Sequence, residues 1–164
     1  MSISMIIIVM TLLCLSSVTS AVESALQRAD TAYEQADFQR AAIEYYRVLA
    51  ADPANQQAHL RLANYYLGLR QYDDAMAHAK AVLDQSAQSI EALMIFGLCH
   101  ATRDESAKAQ SYFEQIIALD PRNVGAYYGL GVVMKQSGDS VGSEAAFAKF
   151  RSFSGMPADQ GRAP

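Results

Sequence analysis

The sequence predicts an all-α protein, a solenoid of four helix–turn–helix units with about eight helices. Three observations predict it. Read at a spacing of 34 residues, the chain matches itself four times without a gap. Within each copy, apolar residues recur at three- and four-residue steps, the period of an amphipathic helix. Aspartate–proline pairs, Asp52–Pro53 and Asp120–Pro121, stand two periods apart, with the weaker Ser86–Ala87 at the position between them.

The columns of this repeat are residue-specific. Ala41, Ala75, Ala109 and Ser143 form one; Tyr45, Ala79, Phe113 and Phe147 another; Val48, Val82, Ile116 and Phe150 a third. Earlier in each unit stand Ala29, Ala63, Gly97 and Gly131, preceded by Arg28, Leu62, Phe96 and Leu130. Alanine or glycine in that column permits close approach of paired helix backbones, and the large residues of the Tyr45 column fill the space between layers. The units fall at residues 22–55, 56–89, 90–123 and 124–157.

Each unit has its own punctuation. Asp37, Gln71 with Asp73 and Asp74, and Gly138–Asp139 mark turns between paired stretches, where an aspartate accepts from free N–H groups opening the second helix. Asp–Pro stops a second helix, because proline lacks an N–H and disfavours helical geometry in its predecessor. The last residues, 158–164, have turn and linker composition and are expected to be disordered.

The first twenty residues are different material. Residues 5–15 read MIIIVMTLLCL, without charge, and SSVTSA follows. An apolar run ending in small residues has the form of a secretory signal peptide, here residues 1–21, cut before Ala21 or Val22. The segment departs from that form in having no Lys or Arg ahead of the run. The alternative is a retained N-terminal membrane anchor, since a spanning helix needs about 20 apolar residues. The expected location is therefore exported, periplasmic or secreted, with inner-membrane anchoring as the second reading. Cys14 would leave with the signal, so Cys99 stands alone and forms no intramolecular disulfide in the mature chain.

Composition excludes several functions. Half of the chain is apolar (51%), which argues against disorder. Acidic residues number 17 against 13 Lys plus Arg, with no basic cluster, so no nucleic acid partner is expected. His59, His78 and His100 form no HxxxH pair, and there is no CxxC, so no metal site is expected. His59, His100 and Cys99 read as packing residues, and Gly125, Gly129 and Gly131 as packing glycines rather than a phosphate loop. No catalytic residue and no cofactor is expected.

Stretches such as Tyr127-Tyr128-Gly129-Leu130-Gly131 and Asp37-Phe38 followed by Ala42-Ile43-Glu44-Tyr45-Tyr46 give the pattern a name. Residues 22–157 resemble four tetratricopeptide repeats, closely in repeats two to four and less so in repeat one. The resemblance implies a right-handed α-solenoid whose first helices line a concave groove for a protein partner, without enzymatic activity. Carried across by column, the groove positions are Leu26, Gln27, Asp30 and Tyr33, then Leu60, Arg61, Asn64 and Leu67. Repeats three and four add Met94, Ile95, Leu98, Tyr128, Val132 and Lys135. The apolar set among them is expected to be exposed, and contiguous exposed apolar surface marks interaction sites; the alternative is packing between neighbouring repeats. A basic clamp for acidic chaperone C-termini is not expected, because Glu91 and Ile95 stand where basic residues would be needed.

The leading reading is an adaptor holding a partner peptide or amphipathic helix, in a setting the resemblance associates with envelope or secretion-related assembly. The alternative is a self-associating or membrane-tethered structural subunit, touching the membrane only through the N-terminal segment. For it, the helix at 140–153 offers Val141 and Phe153 as an apolar docking end, sufficient for a weak homodimer. Mass spectrometry of protein from the native host is expected to find an N-terminus at Ala21 or Val22; intact Met1 or Ser2 on most copies would favour the anchor.

Overall fold

The structure, a computed structural model, describes residues 3–155, without the side chains of residues 3–9 and 11–18. Eight helices make up the described residues: α1 Ile3–Glu34, α2 Phe38–Ala51, α3 Gln56–Gly68, α4 Tyr72–Leu83, α5 Ile90–Thr102, α6 Ser106–Leu119, α7 Val124–Gln136 and α8 Ser140–Ser154. They pair in sequence order, α1 with α2 through α7 with α8, and each pair packs on the next. The expected α-solenoid is present.

Local chemistry repeats at 34 residues as faithfully as the core does. α3, α5 and α7 begin behind Asn55, Ser89 and Asn123, whose side chains accept from the amides of Ala58, Ala92 and Ala126 at 3.1, 3.4 and 3.0 Å. Each first helix ends in a left-handed residue: Ala36, Arg70 and Asp104 at φ 58–59°, and Gly138 at φ 86°. In all four turns the next amide reaches back five residues, from Asp37 to Ala32, Gln71 to Tyr66, Glu105 to His100 and Asp139 to Met134, at 2.9–3.0 Å. This Schellman arrangement satisfies carbonyls that the helix end leaves open. Three of the four turns hold it without glycine, at a cost of order 1 kcal/mol each.

The second helices open with Asp37 and Asp139 as side-chain caps, onto the amides of Arg40 and Gly142 at 3.1 and 2.8 Å. Gln71 and Glu105 make no such bond, and Asp73 and Asp74 lie inside the first turn of α4. At Asp52 and Asp120 the two Asp–Pro turns are alike. Each carboxylate accepts from an amide two residues on and from the side chain of Asn55 or Asn123, at 3.1–3.2 Å.

α1 runs without a break through the position expected to divide the leader from the first repeat, so no helix end marks residue 21. Among the described residues no helix is long and apolar enough to cross a membrane. The apolar segment 5–15 falls almost wholly among the side chains not described, and the tail 158–164 lies outside the described residues.

Three apolar clusters stack along the array; two draw on one repeat and the first helix of the next, and the one around Phe113 reaches on to Ala146 of α8. The small column is buried, and in repeats three and four its partners are the large residues of the second helices. A Cβ on Gly97 would come within 2.7 Å of Phe113, on Gly129 within 2.5 Å of the same ring, and on Gly131 within 2.8 Å of Phe147. Phe113 is therefore gripped between α5 and α7 with no room on either side. Repeat one adds polar ties: buried Glu44 takes Arg28 at 3.0 Å and Arg47. The Tyr45 hydroxyl donates to Asp30 at 2.6 Å, and Gln57 from α3 donates to the same carboxylate at 2.9 Å.

Gly129→Ala is expected to lose about 1–3 kcal/mol, the range for an overpacked core, and Phe113→Leu to recover part of that loss in the double variant; urea unfolding reads both. Burial and the bond to Asp30 push the Tyr45 phenol above its ordinary value near 10. A group whose pKa is raised in the fold contributes stability below the unfolded value and loses it as pH rises past that value. The thermal midpoint is thus expected to hold at neutral pH and fall above about pH 10, with a shallower fall in Tyr45→Phe.

Candidate partner-binding face

The first helices of neighbouring repeats touch, α3 with α5 and α5 with α7, whereas the second helices pack on their own partner and on the following first helix. One face of the array is therefore built from first helices, and the residues carried over as groove positions lie on these helices. The structure sorts them into three groups.

Leu98 and Tyr128 are exposed apolar side chains, 37% and 53% accessible. Asn64 and Lys135 are exposed polar ones. Leu26, Tyr33, Leu60, Leu67, Met94 and Val132 are half-buried, and the first five of these pack against the core clusters of their repeats. These residues thus combine packing with a partly open surface. Tyr128 also leans on α8, with its ring centroid 5.4 Å from Phe150 and 6.0 Å from Phe147.

Ile95 departs from the expectation. It is 2% exposed and sits in the core with Ala63, Ala75, Ala79 and Cys99. The reason lies in its neighbour repeat. The large-residue column carries Ala79 there, and Ile95 from α5 supplies the missing volume.

Polar groups at the face are few and partly engaged. Arg61 lays its guanidinium 4.6 Å from the Tyr33 ring centre, a cation–π contact joining the first two repeats. Asp30 is held by Tyr45 and Gln57, and Asn64 donates to the Leu60 carbonyl of its own helix at 3.0 Å. Next to the face, Tyr33, Asp37, Phe38, Asn64, Tyr65 and Leu69 border a cleft of about 610 Å³.

The docking end expected at α8 is only half present. Val141 is 83% exposed. Phe153 is half-buried: its ring packs on Tyr127 at 5.6 Å, and the Arg122 guanidinium lies 5.5 Å from it. Ring and cation from the start of α7 cover the residue that the column pattern left unconstrained.

Among the other candidates, Cys99 is fully buried, and burial pushes its thiol up to about 11, which makes it a poor nucleophile. His100 stacks on Tyr112 at 5.5 Å and bonds Glu105 at 2.8 Å. The Glu105 carboxyl is held below its ordinary range by Lys108 and then His100, which engages the side chain otherwise placed to cap α6. His59 and His78 come together, which spacing along the chain did not show. Their Nδ1 atoms lie 3.0 Å apart, between α3 and α4. The signal that finds them is the hairpin: they stand ten residues before and nine after Leu69, on facing helices. Burial, and then His59, lower the His78 pKa.

Comparison with known proteins agrees with this architecture. Tetratricopeptide repeat profiles match residues 32–95 and 96–157. The crystal structure of the MamA protein superposes with a TM-score of 0.74 at 28% identity, covering 84% of this chain and 75% of that one. A thermophilic repeat protein from Thermus thermophilus shares the fold at a TM-score of 0.70 and 16% identity, covering 80% and 74%. The SPINDLY probable UDP-N-acetylglucosamine–peptide N-acetylglucosaminyltransferase of Hordeum vulgare is 32% identical over 93 residues, 57% of this chain and 10% of its own length. The Hsp70-Hsp90 organizing protein of Triticum aestivum is 25% identical over 113 residues, 69% of this chain and 19% of that protein. The chain thus spans a fifth or less of these two curated relatives. With two profiles side by side over most of its length and the same solenoid in solved relatives, the chain belongs to the tetratricopeptide repeat family.

Proposed function

We propose that the chain is a non-enzymatic adaptor that holds an apolar segment of a partner protein, an extended peptide or the apolar side of an amphipathic helix, against its first-helix face. The observation that carries this reading is the exposure of Leu98 and Tyr128 beside half-buried Leu60, Leu67, Met94 and Val132 on one face. Helix-in-groove recognition uses such apolar anchors. Membership of a family of protein-interaction repeats supports it, and the transferase relative aligns over only a tenth of its length. Glu91 is exposed and Ile95 buried where a basic clamp would stand, so the anchors are apolar rather than ionic.

The apolar run at 5–15 and the small residues that follow support an exported chain, serving envelope or secretion-related assembly. Self-association through α8 has less support. Val141 is a single exposed side chain, Phe153 is occupied by Tyr127 and Arg122, and a stable interface buries about 800 Å² per partner.

A photo-crosslinking residue placed at position 98 in the native host is expected to capture a defined partner, and one at position 141 is not. Leu98→Glu with Tyr128→Glu is expected to abolish binding of that partner while the far-UV CD signal persists and the thermal midpoint moves by a few degrees. Unfolding of the double variant would show that these side chains are core.

A further inference from the structure

We propose that His59 and His78 form a cis-bis-imidazole site for a divalent transition-metal ion, copper(II) in particular. The geometry rests on both nitrogens of both rings. The two Nδ1 atoms face each other at 3.0 Å. Each Nε2 has an oxygen on its far side: the Pro53 carbonyl lies 3.1 Å from His59 Nε2, and the Tyr46 hydroxyl 3.2 Å from His78 Nε2. A carbonyl only accepts, so His59 carries its proton on Nε2 and points a bare Nδ1 lone pair at His78.

Without a metal, His78 bridges the gap by donating from Nδ1. With a metal it has a second tautomer ready. It protonates Nε2, donates to the Tyr46 hydroxyl, and Tyr46 in turn donates to Tyr66 at 2.7 Å. Both Nδ1 lone pairs are then free, so a small turn of the rings can aim them at one ion, and no net proton leaves two neutral rings. Metal-binding histidines characteristically donate their other N–H to a carbonyl or comparable acceptor, which fixes tautomer and ring orientation. Here both rings have such an acceptor before any ion arrives. Stacking of His78 on Tyr66, with ring planes 7° apart and centroids 5.6 Å apart, further limits ring rotation.

The separation admits one shared ion. With bonds of about 2.0–2.1 Å, two imidazole nitrogens at 90° stand about 2.9 Å apart and at the tetrahedral angle about 3.3 Å. The observed 3.0 Å lies within that range, and among divalent first-row ions copper(II) binds such nitrogen sites most tightly. Among the described residues no group of three or more His, Cys, Asp or Glu is placed to hold a metal. The remaining corners therefore fall to water or to an incoming donor, and both rings are half-buried rather than sealed.

The test is a titration of the full-length chain with copper(II), read by electron paramagnetic resonance and calorimetry. One ion per chain is expected, with nitrogen hyperfine structure from two imidazoles. Affinity should fall at least tenfold in His59→Gln and in His78→Gln and stay unchanged in His100→Gln. Nickel should bind more weakly than copper. Should a histidine variant fold poorly, paramagnetic broadening in the NMR spectrum of the unaltered chain gives the same answer, centred on residues 59 and 78. Copper held equally by the chain carrying both His59→Gln and His78→Gln, or broadening centred elsewhere, would overturn the assignment, as would absence of binding at micromolar copper.

Discussion

Close approach between a first helix and the second helix of its own repeat, made possible by a small residue on one and filled by a large residue on the other, is the contact on which this array depends. Gly97 and Gly131 leave no space for a methyl group beside Phe113 and Phe147. Gly129 adds a second constraint, because Phe113 touches α7 as well and so couples repeat three to repeat four. Burial of one phenylalanine contributes about 1.5–3 kcal/mol, and only where the opposing backbone lies close enough to leave no void. Phe113 thus sets both the spacing within its repeat and the stacking onto the next.

Repeat two solves the same problem differently. Ala63 and Ala79 face one another where other repeats oppose small with large, and the volume comes from Ile95 on the following helix. The substitution has a consequence for the surface. A residue that would otherwise decorate the partner-binding face is drawn inward, and the face at repeat three narrows to Leu98 with half-buried Met94 beside it. Core composition in one repeat therefore sets the width of the apolar surface in the next.

Much of the fold was legible because the period is carried by local chemistry. Asn55, Ser89 and Asn123 cap three first helices in the same way, and the Asp52 and Asp120 turns repeat the same hydrogen bonds. Less legible were features that depend on which element faces which. Ile95 shares its column with half-buried Arg61 and the packing glycine Gly129, so the column does not fix its side; the cause is Ala79, sixteen residues upstream. The contact between His59 and His78 follows from pairing across a hairpin, which motif spacing within one helix does not register. Phe153 shares its column with Ala51, Gln85 and Leu119, which fix no packing role for it, and its cover comes from Arg122 and Tyr127 around the opening of α7. Ala36, Arg70 and Asp104 hide the left-handed turns that Gly138 makes evident, because the backbone there is dictated by helix closure rather than by residue type.

The half-buried residues of the binding face carry a further constraint. Leu60, Leu67 and Met94 pack between repeats while leaving part of each side chain open. Such residues cannot be exchanged freely to suit a new partner, since truncating a fully buried Leu or Met costs about 2–5 kcal/mol against a domain stability of about 5–15, and a half-buried one a share of that. Leu98, Asn64 and Lys135 are exposed and can vary at a cost nearer about 0.5 kcal/mol. On the proposed adaptor reading, recognition therefore divides by position. The half-buried residues would supply a fixed apolar floor, and the exposed residues above it would tell one partner from another.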